Sequence, residues 1–162
     1  MMTDIPVPPG SASGQPAQPS PRSEEEIEKL EHLHTLLIDT IAGYDKVLEK
    51  AEPEFVGTAE AFRGLHVTQV ERVARMLRDL GGEIDAQGSF FGTINRSVVE
   101  MRSWFDDIGH NILGALVDGE KRVVDSFEDV ILVSPSVERR GELERMQGEI
   151  KLLLHRHAPD EL

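Results

Sequence analysis

The sequence predicts an all-α protein built as a four-helix bundle, and three observations carry that prediction. Apolar residues recur at steps of three and four over four long stretches, the signature of one buried helix face. Glycine and proline pairs punctuate the stretches where tight turns are needed. No segment alternates apolar and polar residues as a half-buried strand does.

Residues 1–22 hold six of the nine prolines (Pro6, Pro8, Pro9, Pro16, Pro19 and Pro21), spaced by Gly and Ser. Proline fixes φ and removes backbone donors, and little here is apolar enough to bury. A disordered tail with polyproline II character is expected over 1–22, with the bundle over 23–158. Ser23-Glu24-Glu25-Glu26 has the form of a capping box opening the first helix. Its stripe is Ile27, Leu30, Leu33, Leu37, Ile41, Tyr44, Leu48 and Ala51. Glu52-Pro53 breaks it and starts the second helix, striped by Phe55, Ala59, Phe62, His66, Val70, Val73, Leu77 and Leu80. Gly81-Gly82 ends that helix.

A glycine-rich loop follows, then a short amphipathic helix through Ile94, Val98, Met101 and Phe105. Asp106-Asp107 suits a cap for the third long helix, striped by Ile108, Ile112, Leu116, Gly119, Val123, Phe127 and Val130. Ser134-Pro135 reads as an N-cap and a first-turn proline. The last helix carries Val137, Leu143, Met146, Ile150, Leu153 and His157 inward. A helix of about 27 residues runs roughly 40 Å, a length the middle connection can span. That permits one long crossover rather than plain up-down-up-down order; the alternative is a five-helix bundle with the middle helix as a full member.

Composition narrows function. The absence of Cys excludes disulfides, Cys-ligated metal sites and thiol catalysis. The 17 Lys+Arg against 30 Asp+Glu give a net charge of −13, which argues against polyanionic partners, whether nucleic acid or anionic membrane. In residues 1–22 Asp4 and Arg22 cancel, so the whole charge falls on the bundle. No apolar run approaches the roughly 20 residues of a membrane helix, and the first residues lack a basic then apolar leader pattern. A cytoplasmic protein is expected. No phosphate loop and no nucleophile elbow occurs. Ser89 suits an N-cap, Trp104-Phe105 a plug in the bundle or a subunit contact, and Arg72, Arg75 and Arg78 a surface salt-bridge row.

The string Leu80-Gly81-Gly82, Gly88-Ser89-x-x-Gly92 and Arg96 resembles a ferritin-like four-helix-bundle bacterial family of unknown function, the stress-associated YciF-like proteins. Gly43-Tyr44 with Ala51-Glu52, Ile112-Leu113 with Gly119-Glu120, and Gln147 with His155 extend the similarity over roughly residues 30–157. It implies a ferritin-like bundle with a long connection, carrying a short helix, between helices two and three. Departures bear on activity. The family's His and Trp of the middle element are here Asn95 and Val98, and its acidic positions before Gly119-Glu120 are Ala115 and Val117.

A di-iron bundle needs a Glu from each of two helices and Glu-x-x-His from each of the others. The chain has one match, Glu31-x-x-His34, and roughly one arises by chance at this Glu and His content. His66, with Gln69 three residues on, is most simply a core-edge histidine bonded to a neighbouring helix. Asp39 and Glu120 suit solvated flanks, His155 and His157 the helix C-terminal dipole, and His32, His34 and His110 the surface. The expectation is a non-catalytic, stress-associated protein without cofactor or catalytic residues. It would act as a homo-oligomer or with a protein partner. The alternative is an iron- or manganese-binding protein with oxygen or peroxide chemistry, its ligands drawn from Asp39, His66, Glu120 and Gln147.

Overall fold

The computed structural model describes residues 21–82, 84 and 112–158. They form four helices: α1 (Pro21–Lys50), α2 (Pro53–Asp79), α3 (Ile112–Val133) and α4 (Val137–His157). Among the described residues there is no strand. The Pro-rich tail over residues 1–20, the short middle helix, Ser89, Trp104-Phe105, the Asp106-Asp107 cap, Ile108 and His110 lie outside them.

Helix order follows from which ends meet. Tyr44, late in α1, bonds Glu120, early in α3; Glu26, early in α1, bonds Ser134, just past α3. These two helices are therefore antiparallel. Thr58 at the start of α2 meets His157 at the end of α4, whereas Arg72 further along α2 meets Glu142 near the start of α4. The extensive pairings are α1 with α2, α3 with α4, α1 with α3, and α2 with α4. Helices α1 and α4 thus run one way and α2 and α3 the other. The end of α2 and the start of α3 lie at opposite ends of the bundle. One long crossover joins them, which decides against up-down-up-down order.

The inward stripes are largely those expected. Leu30, Leu33, Leu37 and Tyr44 of α1 are buried with Ala59, Phe62, Val73 and Leu77 of α2. Val123, Phe127 and Val130 of α3 join them with Leu143, Met146 and Ile150 of α4. Each large apolar side chain so placed contributes roughly 1.5–3 kcal/mol relative to exposure.

Three local expectations are corrected. Helix α1 starts at Pro21, so Ser23-Glu26 lies within the first turns, and Glu26 reaches across the bundle instead of folding back on its own cap. The N-cap of α4 is Ser136, whose Oγ accepts from Arg139 N at 3.2 Å. Ser134 is buried and donates to Glu26, held before the helix by the extended backbone that Pro135 favours in its predecessor. Val137, expected inside, is 75% exposed because it begins α4 at the turn, before the stripe reaches the core.

The α2 terminus matches expectation in detail. Gly82 N bonds Leu77 O at 2.8 Å and Gly81 N bonds Arg78 O at 3.0 Å, the paired bonds of a Schellman cap. Gly81 has φ +77, and a Cβ on Gly82 would press on Leu77 at 3.2 Å. Gly81→Ala is expected to lower stability by about 1–2 kcal/mol. The check is a lower urea midpoint at an unchanged slope.

Candidate functional site

A chain of buried polar side chains crosses the bundle from α1 to α4. His66 and Glu120 are 0% and 1% exposed. His66 Nε2 lies 2.9 and 3.0 Å from the two Glu120 oxygens. The Tyr44 hydroxyl donates to Glu120 Oε1 at 2.5 Å. On the other side, His66 Nδ1 is 3.3 Å from Gln69 Oε1, and Gln69 Nε2 donates to the Met146 carbonyl at 2.9 Å and towards Glu149 at 3.4 Å.

The local sequence explains the placement. His66 and Gln69 are three apart on α2 and share its inward face. Glu120 sits three residues after Val117 and three before Val123, both buried, so the helix turns it inward. Tyr44 lies on the buried face of α1 between Leu37 and Val47, and stacks on Phe62 (centroids 5.9 Å apart, planes at 1°) and on His66 (6.0 Å, 28°). Those rings exclude water and aim the hydroxyl at the carboxylate.

The Met146 carbonyl takes a hydrogen from the Gln69 amide, which leaves the amide oxygen facing His66. Every polar side-chain group of this centre is bonded within the protein. By contrast, Ser126 Oγ is the buried side-chain atom without a partner among the described residues.

Burial, then the charge and hydrogen bond of Glu120, push the Tyr44 hydroxyl far above its ordinary pKa of 10.0. The folded chain keeps a proton that the unfolded chain releases, so this contribution is full below about pH 10 and falls as pH rises past it. Tyr44 is the single tyrosine. An ultraviolet alkaline titration should show no tyrosinate until a cooperative loss of helix. Tyrosinate appearing near pH 10 with helix intact would contradict this.

Of the four residues expected as metal ligands, the structure brings two together, His66 and Glu120. Glu120 is not the solvated flank charge its acidic context suggested. Asp39 is half-buried, five residues before Tyr44 and so roughly 140° around α1 from it. Gln147 joins α4 to α3, donating to Val124 O at 3.1 Å and Glu128 at 3.0 Å while accepting from Lys151 at 2.9 Å. In the Glu31-x-x-His34 match Glu31 is exposed. His34 lies ten residues, about 15 Å of helix, before Tyr44. It is half-buried rather than on the surface, and burial with the nearby Arg78 charge lowers its pKa.

Tyr44 was legible only as a stripe residue, although a phenol on an apolar stripe needs a partner for its hydroxyl. Among the described residues no three His, Asp or Glu side chains are grouped to hold a metal ion. A protein-held metal takes three or four such ligands. Among the described residues this centre offers one imidazole and one carboxylate, bonded to each other, which is fewer than such a site uses.

Two further polar links tie the helices together. Of the expected salt-bridge row Arg72, Arg75 and Arg78, Arg72 of α2 pairs with Glu142 and Glu149 of α4, whereas no ion pair of Arg75 or Arg78 is found among the described residues. At the far end Arg139 forks onto the fully buried Glu26 at 2.6 and 2.9 Å.

Fold and site together define a four-helix bundle with one long crossover and a hydrogen-bonded polar centre. The chain belongs to the DUF2383 family: the model of that domain of unknown function matches residues 25–132. The match takes in Tyr44, His66, Gln69 and Glu120 but ends before α4. No curated protein and no solved structure matches the chain. No described helix is long and apolar enough to cross a membrane.

Proposed function

We propose that this chain is a ferritin-like bundle, akin to the YciF-like proteins, that acts by association with itself or a protein partner and carries out no chemistry. The observation that carries this reading is the closure of the centre: Tyr44, Glu120, His66 and Gln69 satisfy one another. A substrate would have to break bonds in a dry core to engage them. Leu132 and Val137, 72% and 75% exposed beside the α3–α4 turn, and Leu152 on α4 offer apolar surface for association. The stress-associated role and a cytoplasmic site of action rest on the resemblance and on composition.

Sedimentation velocity on the full chain tests the reading. A dimer or larger species is expected, weakened by Leu132→Glu with Val137→Glu. A monomer at all concentrations that copurifies with stoichiometric iron would overturn it. The other reading, an iron or manganese protein with oxygen or peroxide chemistry, has one observation in its favour: His66 and Glu120 meet from two helices. Among the described residues it lacks a third ligand.

A further inference from the structure

We infer that the hydrogen-bonded cluster stands in the place of a metal ion, and that Tyr44 and Gln69 are the residues that close the position to divalent cations. Carboxylate bundles assemble metals where inward acids of two helices meet residue pairs spaced three apart on the others. Here α3 supplies Glu120, α2 supplies the pair His66 and Gln69, and α1 supplies Tyr44. Three helices meet as in such a centre, but only Glu120 is the residue type that pattern puts in its slot; Tyr44, His66 and Gln69 are not, and α4 brings the Met146 carbonyl.

The Tyr44 hydroxyl puts a hydrogen on Glu120 Oε1, where a cation needs a lone pair. Gln69 occupies the slot three residues after His66 where an imidazole would ligate. Its nitrogen is committed to Met146 O and its oxygen to His66 Nδ1. That second bond holds the ring with Nε2 on the carboxylate. A cation entering here would have to part His66 Nε2 from Glu120 and break the Tyr44 bond. It would then find two ligands among the described residues. The internal hydrogen bonds therefore take over the cross-linking of α1, α2 and α3 that a metal gives a carboxylate bundle. This inference deepens the non-catalytic reading by naming what closes the centre. It also fails independently of that reading, since a bundle that holds a metal can still associate.

The test is equilibrium dialysis of the full chain against Mn(II), and against Fe(II) without oxygen, with thermal melts in each metal and in EDTA. The expected result is a melting temperature unchanged between metal and chelator, and metal retention equal in the parent and in His66→Gln, since only surface carboxylates contribute. One extra equivalent in the parent, lost in His66→Gln and accompanied by a higher melting temperature, overturns the inference. The second arm reopens the position with Tyr44→Glu and Gln69→His together. The folded double variant should gain one saturable Mn(II) equivalent absent from the parent. A folded double variant without that gain also overturns the inference. Should it not fold, Gln69→His alone carries the same two outcomes, with His66, Glu120 and the introduced imidazole as the ligand set.

Discussion

Glu120→Leu is expected to destabilise the chain by about 3–5 kcal/mol, the cost of leaving two buried polar groups without their shared partner. The cause is what the substitution leaves behind. The Tyr44 hydroxyl and His66 Nε2 both point at Glu120, and among the described residues neither has another partner in a core where His66 is 0% exposed. Each stranded group costs about 1–3 kcal/mol. A domain holds only about 5–15 kcal/mol in total, so the variant should lose much of its margin.

The companion variants separate this account from simple loss of packing. His66→Leu leaves the buried Glu120 with the Tyr44 hydroxyl alone of these two partners and should cost a similar amount. The double variant His66→Leu with Glu120→Leu removes both partners, and its cost should fall well short of the sum, because apolar replacement of a whole buried pair is often neutral. Glu120→Gln keeps an oxygen to accept one of the two donors and should be milder than the leucine. Urea unfolding of the four proteins measures the coupling. Additive single and double effects would mean that the pair is not an energetic unit.

The four helices were legible because their spacing is a local property. Leu30, Leu33 and Leu37, or Val123, Phe127 and Val130, declare one face without reference to any other helix. The site was half legible for the same reason. His66 stands on a stripe and is conspicuous among apolar neighbours. Its partners could not be read off, since Tyr44 and Glu120 meet only once α1 is antiparallel to α3, and the crossover decides that. Glu120 was also hidden by composition: in a chain with 30 acidic residues a carboxylate looks like a solvated flank. Its register between Val117 and Val123 was the better guide. Glu26 misled in another way. Its spacing from Ser23 suits a capping box, but it also stands four residues before Leu30, in step with the buried stripe. Burial decided its role once Arg139 was there to compensate the charge. At Ser134-Pro135-Ser136 two serines compete for one cap, and the long-range bond from Ser134 to Glu26 leaves the cap to Ser136.

Arg139→Met should cost about 3–5 kcal/mol, again because a buried charge loses its partner. Glu26 is 0% exposed, and Arg139 supplies two of its hydrogen bonds, with Ser134 as a third donor. Without the guanidinium, the Ser134 hydroxyl is what remains of these three bonds. The converse change, Glu26→Gln, should be milder. The Arg139 side chain is 19% exposed and can turn its head towards water, and the amide can still accept from Ser134. Arg139→Lys should fall between, since an ammonium keeps the charge but cannot fork onto both oxygens. The order methionine, lysine, then wild type is thus a test of geometry as well as charge. The clasp ties the start of α1 to the α3–α4 turn, so amide exchange should quicken first in the opening turns of α1. Glu26 and Tyr44 are 18 residues apart on one helix, about 27 Å. Arg139→Met and Glu120→Leu should therefore add within about 0.5 kcal/mol, unlike the pair within the centre. Together they approach the whole stability of an ordinary domain, and the combined variant should be unfolded in buffer by circular dichroism. A folded combined variant, or an Arg139→Met within about 0.5 kcal/mol of wild type, would show that the Glu26 carboxylate finds other partners when the fork is removed.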